Sequence, residues 1–353
     1  KIQMDSTGFA WYNMVAKGGL PMSKDLVYRL LSQYPGQFVS GEEISRQAEI
    51  SRAAVWKAVD GLRKAGYTIE ARSGLGYALM GSPDALSQRE IHSQLLRLDV
   101  APARLDCLEE VDSTNSYLKR IALEGAPHGT VAVANYQTSG RGRISRTFLS
   151  PKDKGVYLSI LLRPKLTPEQ LLPVTALTAV AVCDAIENTC GLRPQIKWTN
   201  DLLLGGKKLV GILTEVALEG ETGAVESLVI GAGVNVHHTD ADFTPEVAKM
   251  ATALSAQAGY PVSRPQLAAE MIAALLCLSE DLSGDLSRYR TAYRQDCLTL
   301  GREVQLLWSD SQETVFAEDI DDQFGLIVRR GDGSRTTIRS GEVSVRGLYG
   351  YAN

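Results

Sequence analysis

Gln137-Thr138-Ser139-Gly140-Arg141-Gly142-Arg143 follows seven residues, Thr130–Tyr136, that read as a strand. Two glycines there let the backbone bend tightly, and two arginines supply permanent charge on forked donors suited to carboxylate and phosphate. The segment is not a Walker loop: G-x-x-x-x-G-K-[ST] is absent, and arginine stands in place of the lysine. By itself it also suits a flexible basic surface loop. The neighbouring stretches decide between the two.

Upstream, Asp112-Ser113-Thr114-Asn115 separates the strand-like Leu105–Val111 from a helical stretch with Tyr117, Leu118 and Ile121. These residue types cap helices, and a helix start also presents free N–H groups to anions and carbonyls. Downstream, Ile196-Lys197-Trp198-Thr199-Asn200-Asp201 leads to Gly206-Lys207-Lys208-Leu209-Val210-Gly211-Ile212. Lys208 adjoins an apolar strand-like run, where a cation costs several kcal/mol to desolvate unless it meets an anion. A lysine in the turn ahead of a strand is the plainer alternative. In Val229-Ile230-Gly231-Ala232-Gly233-Val234-Asn235-Val236, Gly231 and Gly233 leave one strand face bare for a ligand or for close packing. Strands and helices alternate through residues 84–298, the pattern of a mixed α/β domain.

Outside this block the pattern changes. Over residues 22–82, Leu26, Val27, Leu30 and Leu31 form the stripe of a first helix. Ser40 and Glu43 have capping-box spacing for a second, 41–48, and Ser51 caps a third from Arg52 to about Ala65. Val55, Val59 and Leu62 mark that helix's inner face, and Trp56 is expected in the core. Residues 68–72 and 77–79 flank Ser73-Gly74-Leu75-Gly76 as a hairpin. The segment resembles the winged-helix domains of bacterial regulators, which implies DNA contact through Ser51, Arg52, Ala53, Ala54, Lys57, Arg63 and Lys64 and, on the wing, Arg72. A solvated basic helix of an oligomerisation module is the alternative. Beyond residue 298, short strands with turns at Asp310-Ser311, Asp321-Asp322 and Gly331-Asp332-Gly333 read as a small barrel, 299–353. Residues 1–21 match nothing that follows and read as an appended extension ahead of Met22-Ser23-Lys24.

Composition narrows the class. A chain of 353 residues implies two or three domains. No apolar run is seen to approach the ~20 residues of a membrane span, and no leader pattern opens the chain. Five cysteines without a CxxC pair argue against a disulfide framework or zinc site and fit a reducing cytosol. His237 and His238 are adjacent and read as loop or surface residues. A net charge of −4 disfavours a protein coating nucleic acid along its whole surface, while leaving room for a local patch.

Taken in order, Asp-Ser-Thr-Asn, Gln-Thr-Ser-Gly-Arg-Gly-Arg, Lys-Trp-Thr-Asn-Asp, Lys-Lys-Leu-Val-Gly-Ile-Leu-Thr-Glu and Gly-Ala-Gly-Val-Asn-Val closely resemble biotin protein ligases. The resemblance covers about residues 24–350, including Gly341-Glu342-Val343-Ser344-Val345-Arg346-Gly347. It implies a multidomain α+β protein: winged helix-turn-helix, biotin/lipoate-ligase-like α/β domain and SH3-like barrel. It further implies biotin, ATP and Mg²⁺ as ligands, with a biotin carboxyl carrier protein of acetyl-CoA or pyruvate carboxylase as acceptor. Operator DNA, an adenylate-bound homodimer and a cytoplasmic setting follow likewise. By the same resemblance Ser113, Thr114, Asn115, Gln137, Gly142, Gly211, Gly231 and Gly233 hold biotin, together with the catalytic Arg141, Arg143 and Lys208. Phe148, Asn200, Asp201 and Asn235 lie at the nucleotide, with Asp201 also at the metal. Three positions depart from the family pattern: Ser145 replaces glycine, Phe148 replaces tryptophan and Thr199 replaces proline. A biotin sensor without ligase activity, or a ligase that no longer binds DNA, are the rival readings.

Overall fold

The computed structural model describes residues 23–143, 146–307 and 312–339, and the backbone alone of 342–345. The chain forms two compact units that part between Asp84 and Ala85. The expected extension 1–21, Ser145 and most of the Gly341–Gly347 motif fall outside the described residues.

The first unit holds α1 (Ser23–Ser32), α2 (Gly41–Ala48), α3 (Arg52–Lys64) and a hairpin of β1 (Thr68–Arg72) and β2 (Gly76–Gly81). Ser40 Oγ accepts the Glu43 N–H at 3.0 Å, but the Glu43 carboxylate turns to Arg46 and Gln47 instead of closing a capping box. Ser51 Oγ caps α3 by accepting the Ala54 N–H at 3.2 Å. Val27, Leu31, Ile44, Val55, Val59, Leu62, Ile69 and Leu79 make the core. Gly76 is required because a β-carbon there would lie 2.0 Å from the Val39 carbonyl, which pairs with Tyr77. One expectation needs correction. Trp56 is 62% exposed, because it lies about 100° around the helix from Val55, off the buried stripe. Arg63 is exposed, as the DNA-contact reading needs, and its Nε and Nη2 donate to the Ile69 carbonyl at 3.0 and 2.7 Å, so its fork also ties α3 to β1.

The second unit opens with α4 (Gln88–Arg97), then β3 (Arg104–Leu108), α5 (Thr114–Leu123), β4 (Thr130–Ala134) and β5 (Gly155–Leu162). After α6 (Val174–Cys190) come β6 (Gln195–Lys197), β7 (Asp201–Leu204), β8 (Lys207–Leu218) and β9 (Val225–Asn235). The seven strands form one sheet ordered β3-β4-β5-β9-β8-β7-β6, antiparallel except for β3 with β4. Side chains alternate between its faces. Val156, Leu158 and Ile160 of β5 and Leu228, Ile230 and Ala232 of β9 join the main core with α4, α6 and a long helix α7 (Arg264–Asp281). Leu161 and Val229 point the other way, to α5 through Leu118 and Ile121. Contrary to the sequence reading, Glu169–Cys190 is long and apolar enough to cross a membrane, but 72% of its most apolar window is buried, as in a core helix.

A helix α8 (Ser287–Asp296) leads to β10 (Arg302–Leu307), β11 (Gln312–Ile320), β12 (Leu326–Arg329), β13 (Arg335–Ile338) and β14 (Glu342–Val345). They form an antiparallel sheet ordered β13-β12-β11-β10-β14. Its Val304, Val315, Leu326 and Val328 belong to the same apolar core as the larger sheet. Trp198 Nε1 donates to the Phe324 carbonyl at 2.9 Å, and the Trp198 N–H to Thr299 Oγ1 at 3.0 Å. The larger and smaller sheets, assigned to separate blocks 84–298 and 299–353 in the sequence reading, therefore pack as parts of one unit.

Candidate functional site

The register of β5, β9 and β8 sets a floor on the α5 face of the sheet. Tyr157, Gly233 and Gly211 lie in one cross-strand row, Ser159, Gly231 and Leu213 in the next, and Leu161, Val229 and Glu215 in the third. The bare positions are filled by side chains from above. A β-carbon on Gly231 would lie 2.0 Å from Asn115 Oδ1; on Gly233 it would lie 2.5 Å from the Phe148 ring, and on Gly211 3.1 Å from it. Phe148 thus rests on both glycines, with its ring edge-on to Tyr157 at 6.4 Å between centroids.

Ser113, Thr114 and Asn115 open α5 and are buried; Ser113 makes no side-chain cap. Gln137 Oε1 accepts the Thr114 N–H at 2.9 Å and Thr114 Oγ1–H at 3.2 Å, while Gln137 Nε2 donates to Ser150 Oγ at 2.8 Å. Ser159 Oγ lies 2.7 Å from Thr114 Oγ1 and 2.6 Å from Asn115 Oδ1. Asn115 Nδ2 donates to the Leu213 carbonyl and to Glu215 Oε2, at 3.2 and 3.0 Å. This buried polar network joins the helix start, the 137–150 loop and the sheet, and fixes their spacing.

Four cations surround it. Arg141 Nη1 and Lys119 Nζ both reach Glu215 Oε1, at 3.1 and 2.9 Å. Burial pushes the Glu215 carboxyl up, but hydrogen bonds from Lys119 and Asn115 and the nearby positive charge of Arg141 hold it below the ordinary glutamate range. Arg143 Nη1 donates to Thr199 Oγ1 at 3.1 Å and to Asn200 Oδ1 at 2.9 Å. Lys208 Nζ pairs with Asp201 Oδ1 at 2.7 Å, so the anion it meets is protein-borne. The Trp198–Thr199 peptide is cis. Gly142 N–H donates to the Arg146 carbonyl at 2.7 Å, and Phe148 N–H to the Gly140 carbonyl at 2.9 Å, closing the arginine loop on itself.

The structure therefore gathers Ser113, Thr114, Asn115, Gln137, Arg141, Phe148, Lys208, Gly211, Gly231 and Gly233 on one sheet face, with Arg143, Asn200 and Asp201 beside them. Asn235 differs. It is buried, and its Nδ2 donates to the Thr252 carbonyl at 3.1 Å, a tie between β9 and the following loop. His238 lies in a loop, as expected, but is buried there and stacked on Phe243 at 5.1 Å. Sequence reading missed Ser159, Ser150, Glu215 and Lys119. A lone hydroxyl in the apolar run of β5 and a carboxylate within β8 were the available signals.

A glycine-floored cleft ringed by arginine and lysine, on a unit that follows a winged helix, defines a ligand-activating enzyme with a DNA-binding module. Comparison with known proteins agrees. Residues 107–235 match the biotin/lipoate A/B protein ligase family, residues 24–78 an HTH domain, and residues 299–346 the biotin protein ligase C terminal domain. The chain is 39% identical to the bifunctional ligase/repressor BirA of Bacillus subtilis, over 81% of this chain and 83% of that one. It is 30% identical to BirA of Escherichia coli, over 88% and 94%. Among solved structures, biotin protein ligase from Aquifex aeolicus in complex with biotin and ATP matches with a TM-score of 0.59 and 28% identity, over 69% of this chain and 99% of that one. The chain belongs to the biotin protein ligase family.

Proposed function

We infer that this protein activates biotin with ATP, transfers it to a lysine of a biotin carboxyl carrier protein, and represses transcription at an operator. The observation that carries the enzymatic part is the gathering of Arg141, Arg143 and Lys208 around a floor of bare glycines and a buried helix start. In the first step the biotin carboxylate attacks the α-phosphate of ATP, giving biotinyl-AMP and pyrophosphate. Two anions must approach, and fixed cations offset their repulsion. Lys208, Arg141 and Arg143 supply them, exchanging their present protein partners for ligand oxygens. In the second step the carrier's lysine amine attacks the acyl carbon, forms an amide and expels AMP; the proton leaves from the amine nitrogen. Ser113, Thr114, Asn115 and Gln137 orient the vitamin, and the 137–148 loop shields the anhydride from water.

Mg²⁺ fits this site in one form only. Among the described residues no group of three or more His, Cys, Asp or Glu side chains converges, so a cage of protein ligands is absent. Mg²⁺ accepts one carboxylate together with phosphate oxygens and water, and Asp201 offers that carboxylate once Lys208 turns to the ligand. When bound, the ion would neutralise phosphate charge.

The DNA-binding part rests on the winged helix, which keeps the cap Ser51 and, on α3, Arg52, Ala53 and Lys57 exposed. Adenylate-bound pairing of two chains and a cytoplasmic setting belong to the same reading. Incubation with ATP, biotin and a carrier domain tests the enzyme: streptavidin-detectable carrier is expected, and its absence leaves a biotin sensor. Mobility shift on the chain's own promoter, with and without biotin plus ATP, tests the repressor; no shift in either condition leaves a ligase alone.

A further inference from the structure

An aromatic ring that could have joined a core lies instead on the outer face of α3. Trp56 is 62% exposed, whereas Val55, Ala58, Val59 and Leu62 of the same helix are buried. Ala53, one turn earlier on the same side, is exposed and small, too short to cover the indole. Lys57 is exposed next to it. Arg52 pairs with Glu42 at 2.7 Å, both side chains lying more than 70% open to solvent, a pair that a phosphate displaces easily. The far half of the helix is different: Arg63 is tied to the Ile69 carbonyl, and Lys64 lies 2.7 Å from Asp60 of the same helix, beyond the apolar patch. Positive charge and apolar surface therefore coincide in the first two turns of α3, the part of a recognition helix that reaches base edges.

We propose that Trp56 is a specificity-determining residue of the DNA interface, reading a thymine in the major groove by packing its indole against the C5-methyl group. The inference rests on the repressor reading above. Apolar contact with that methyl is one of the few ways a non-hydrogen-bonding surface distinguishes T·A from the other pairs. Ala53 leaves room for the helix to come close enough, while Lys57 and Arg52 hold the flanking phosphates. Because Trp56 carries no charge, its share of binding is in sequence preference and not in counterion release.

The test uses the full chain with biotin and ATP. A binding site is first selected from random duplexes by the wild-type protein, and its affinity is compared with that of a scrambled duplex. Trp56→Ala should lower the ratio of selected to scrambled affinity about 10-fold or more, with an unaltered salt slope, and Trp56→Phe should fall between. Replacing thymines of the selected site by deoxyuridine, one at a time, should reproduce that loss for the wild type at one position and have no effect there on Trp56→Ala. Thermal melting of the variants checks that the domain is folded; a ring this exposed should leave it nearly unchanged. If Trp56→Ala keeps the wild-type preference, or if no deoxyuridine substitution matters to the wild type, the assignment of Trp56 is overturned while the repressor reading stands. If the wild type selects no sequence, both fall.

Discussion

Gly231 has no room for a β-carbon, since one built there would sit 2.0 Å from Asn115 Oδ1, inside a network that also holds Ser159 and Glu215. Gly231→Ala must push Asn115 out of place. Overpacking of this kind costs about 1–3 kcal/mol, and here it also unseats the start of α5. A lowered melting temperature with weaker biotin binding is expected, read by thermal scan and calorimetric titration; unchanged values in both would show that the strand yields instead. Lys208 tests the chemistry more directly. Its ammonium is held 2.7 Å from Asp201, poised beside the glycine floor. Lys208→Ala should reduce adenylate formation at least about 100-fold, the scale of losing one electrostatic donor, and near-normal biotinyl-AMP synthesis would remove it from its role. Arg143 is anchored by Thr199 and Asn200. Arg143→Gly loses both that anchor and a phosphate donor, so the adenylate should escape and label bystander lysines. Labelling confined to the carrier counts against this.

Elements carry the titratable part of the design. The loop after β9 brings His238 into a buried stack with Phe243, and burial lowers its pKa to about 4, with the charge of Asp242 opposing that shift. The unfolded chain then binds more protons than the folded one below about pH 6.5. Above that pH His238 is neutral in both states and exacts no penalty; from there down to about pH 4 stability falls, by on the order of 3 kcal/mol at most. The melting temperature should drop over this window, and His238→Phe should flatten the drop; an equal slope in wild type and variant would place the acid sensitivity elsewhere. The elements also show what sequence could reveal. The boundaries of α2 and α3 and the wing hairpin were legible because caps, apolar period and turn glycines are local signals. Gly231 and Gly233 betrayed a bare strand face by their spacing alone. Trp56 was misread because hydrophobicity says nothing of azimuth: one residue off the Val55 stripe exposes a ring. Glu215 was invisible for another reason. Its partners Asn115, Lys119 and Arg141 are 74 to 100 residues away in the chain, and no pattern along β8 announces them.

At the scale of the whole molecule, the enzymatic and DNA-binding roles need a link, and the large sheet offers one. β7 pairs with β8 only from Lys207 to Gly211, whereas β9 follows β8 as far as Leu218. From Thr214 to Leu218, among the described residues, the other edge of β8 has no strand beside it, and Val216 and Leu218 there are 45% and 49% exposed. An open edge with exposed apolar side chains favours pairing with another strand, and a second copy of the same edge gives a closed two-fold interface. Glu215 lies within this edge and binds Arg141 of the arginine loop, so a ligand that recruits Arg141 acts on the strand that would pair. On the proposed reading that the adenylate-bound chain pairs, a ligand that orders loop and strand together would lower the entropic cost of that pairing, and two winged helices would then grip two half-sites. Val216→Lys places a charge on the edge without touching the cleft. Sedimentation should find the wild type shifting toward dimer with biotinyl-AMP and the variant remaining monomeric, while both synthesise the adenylate at similar rates. The variant should also need at least about 10-fold more protein for half-shift of the selected duplex. Adenylate-driven dimerisation of Val216→Lys equal to wild type would move the interface away from this strand.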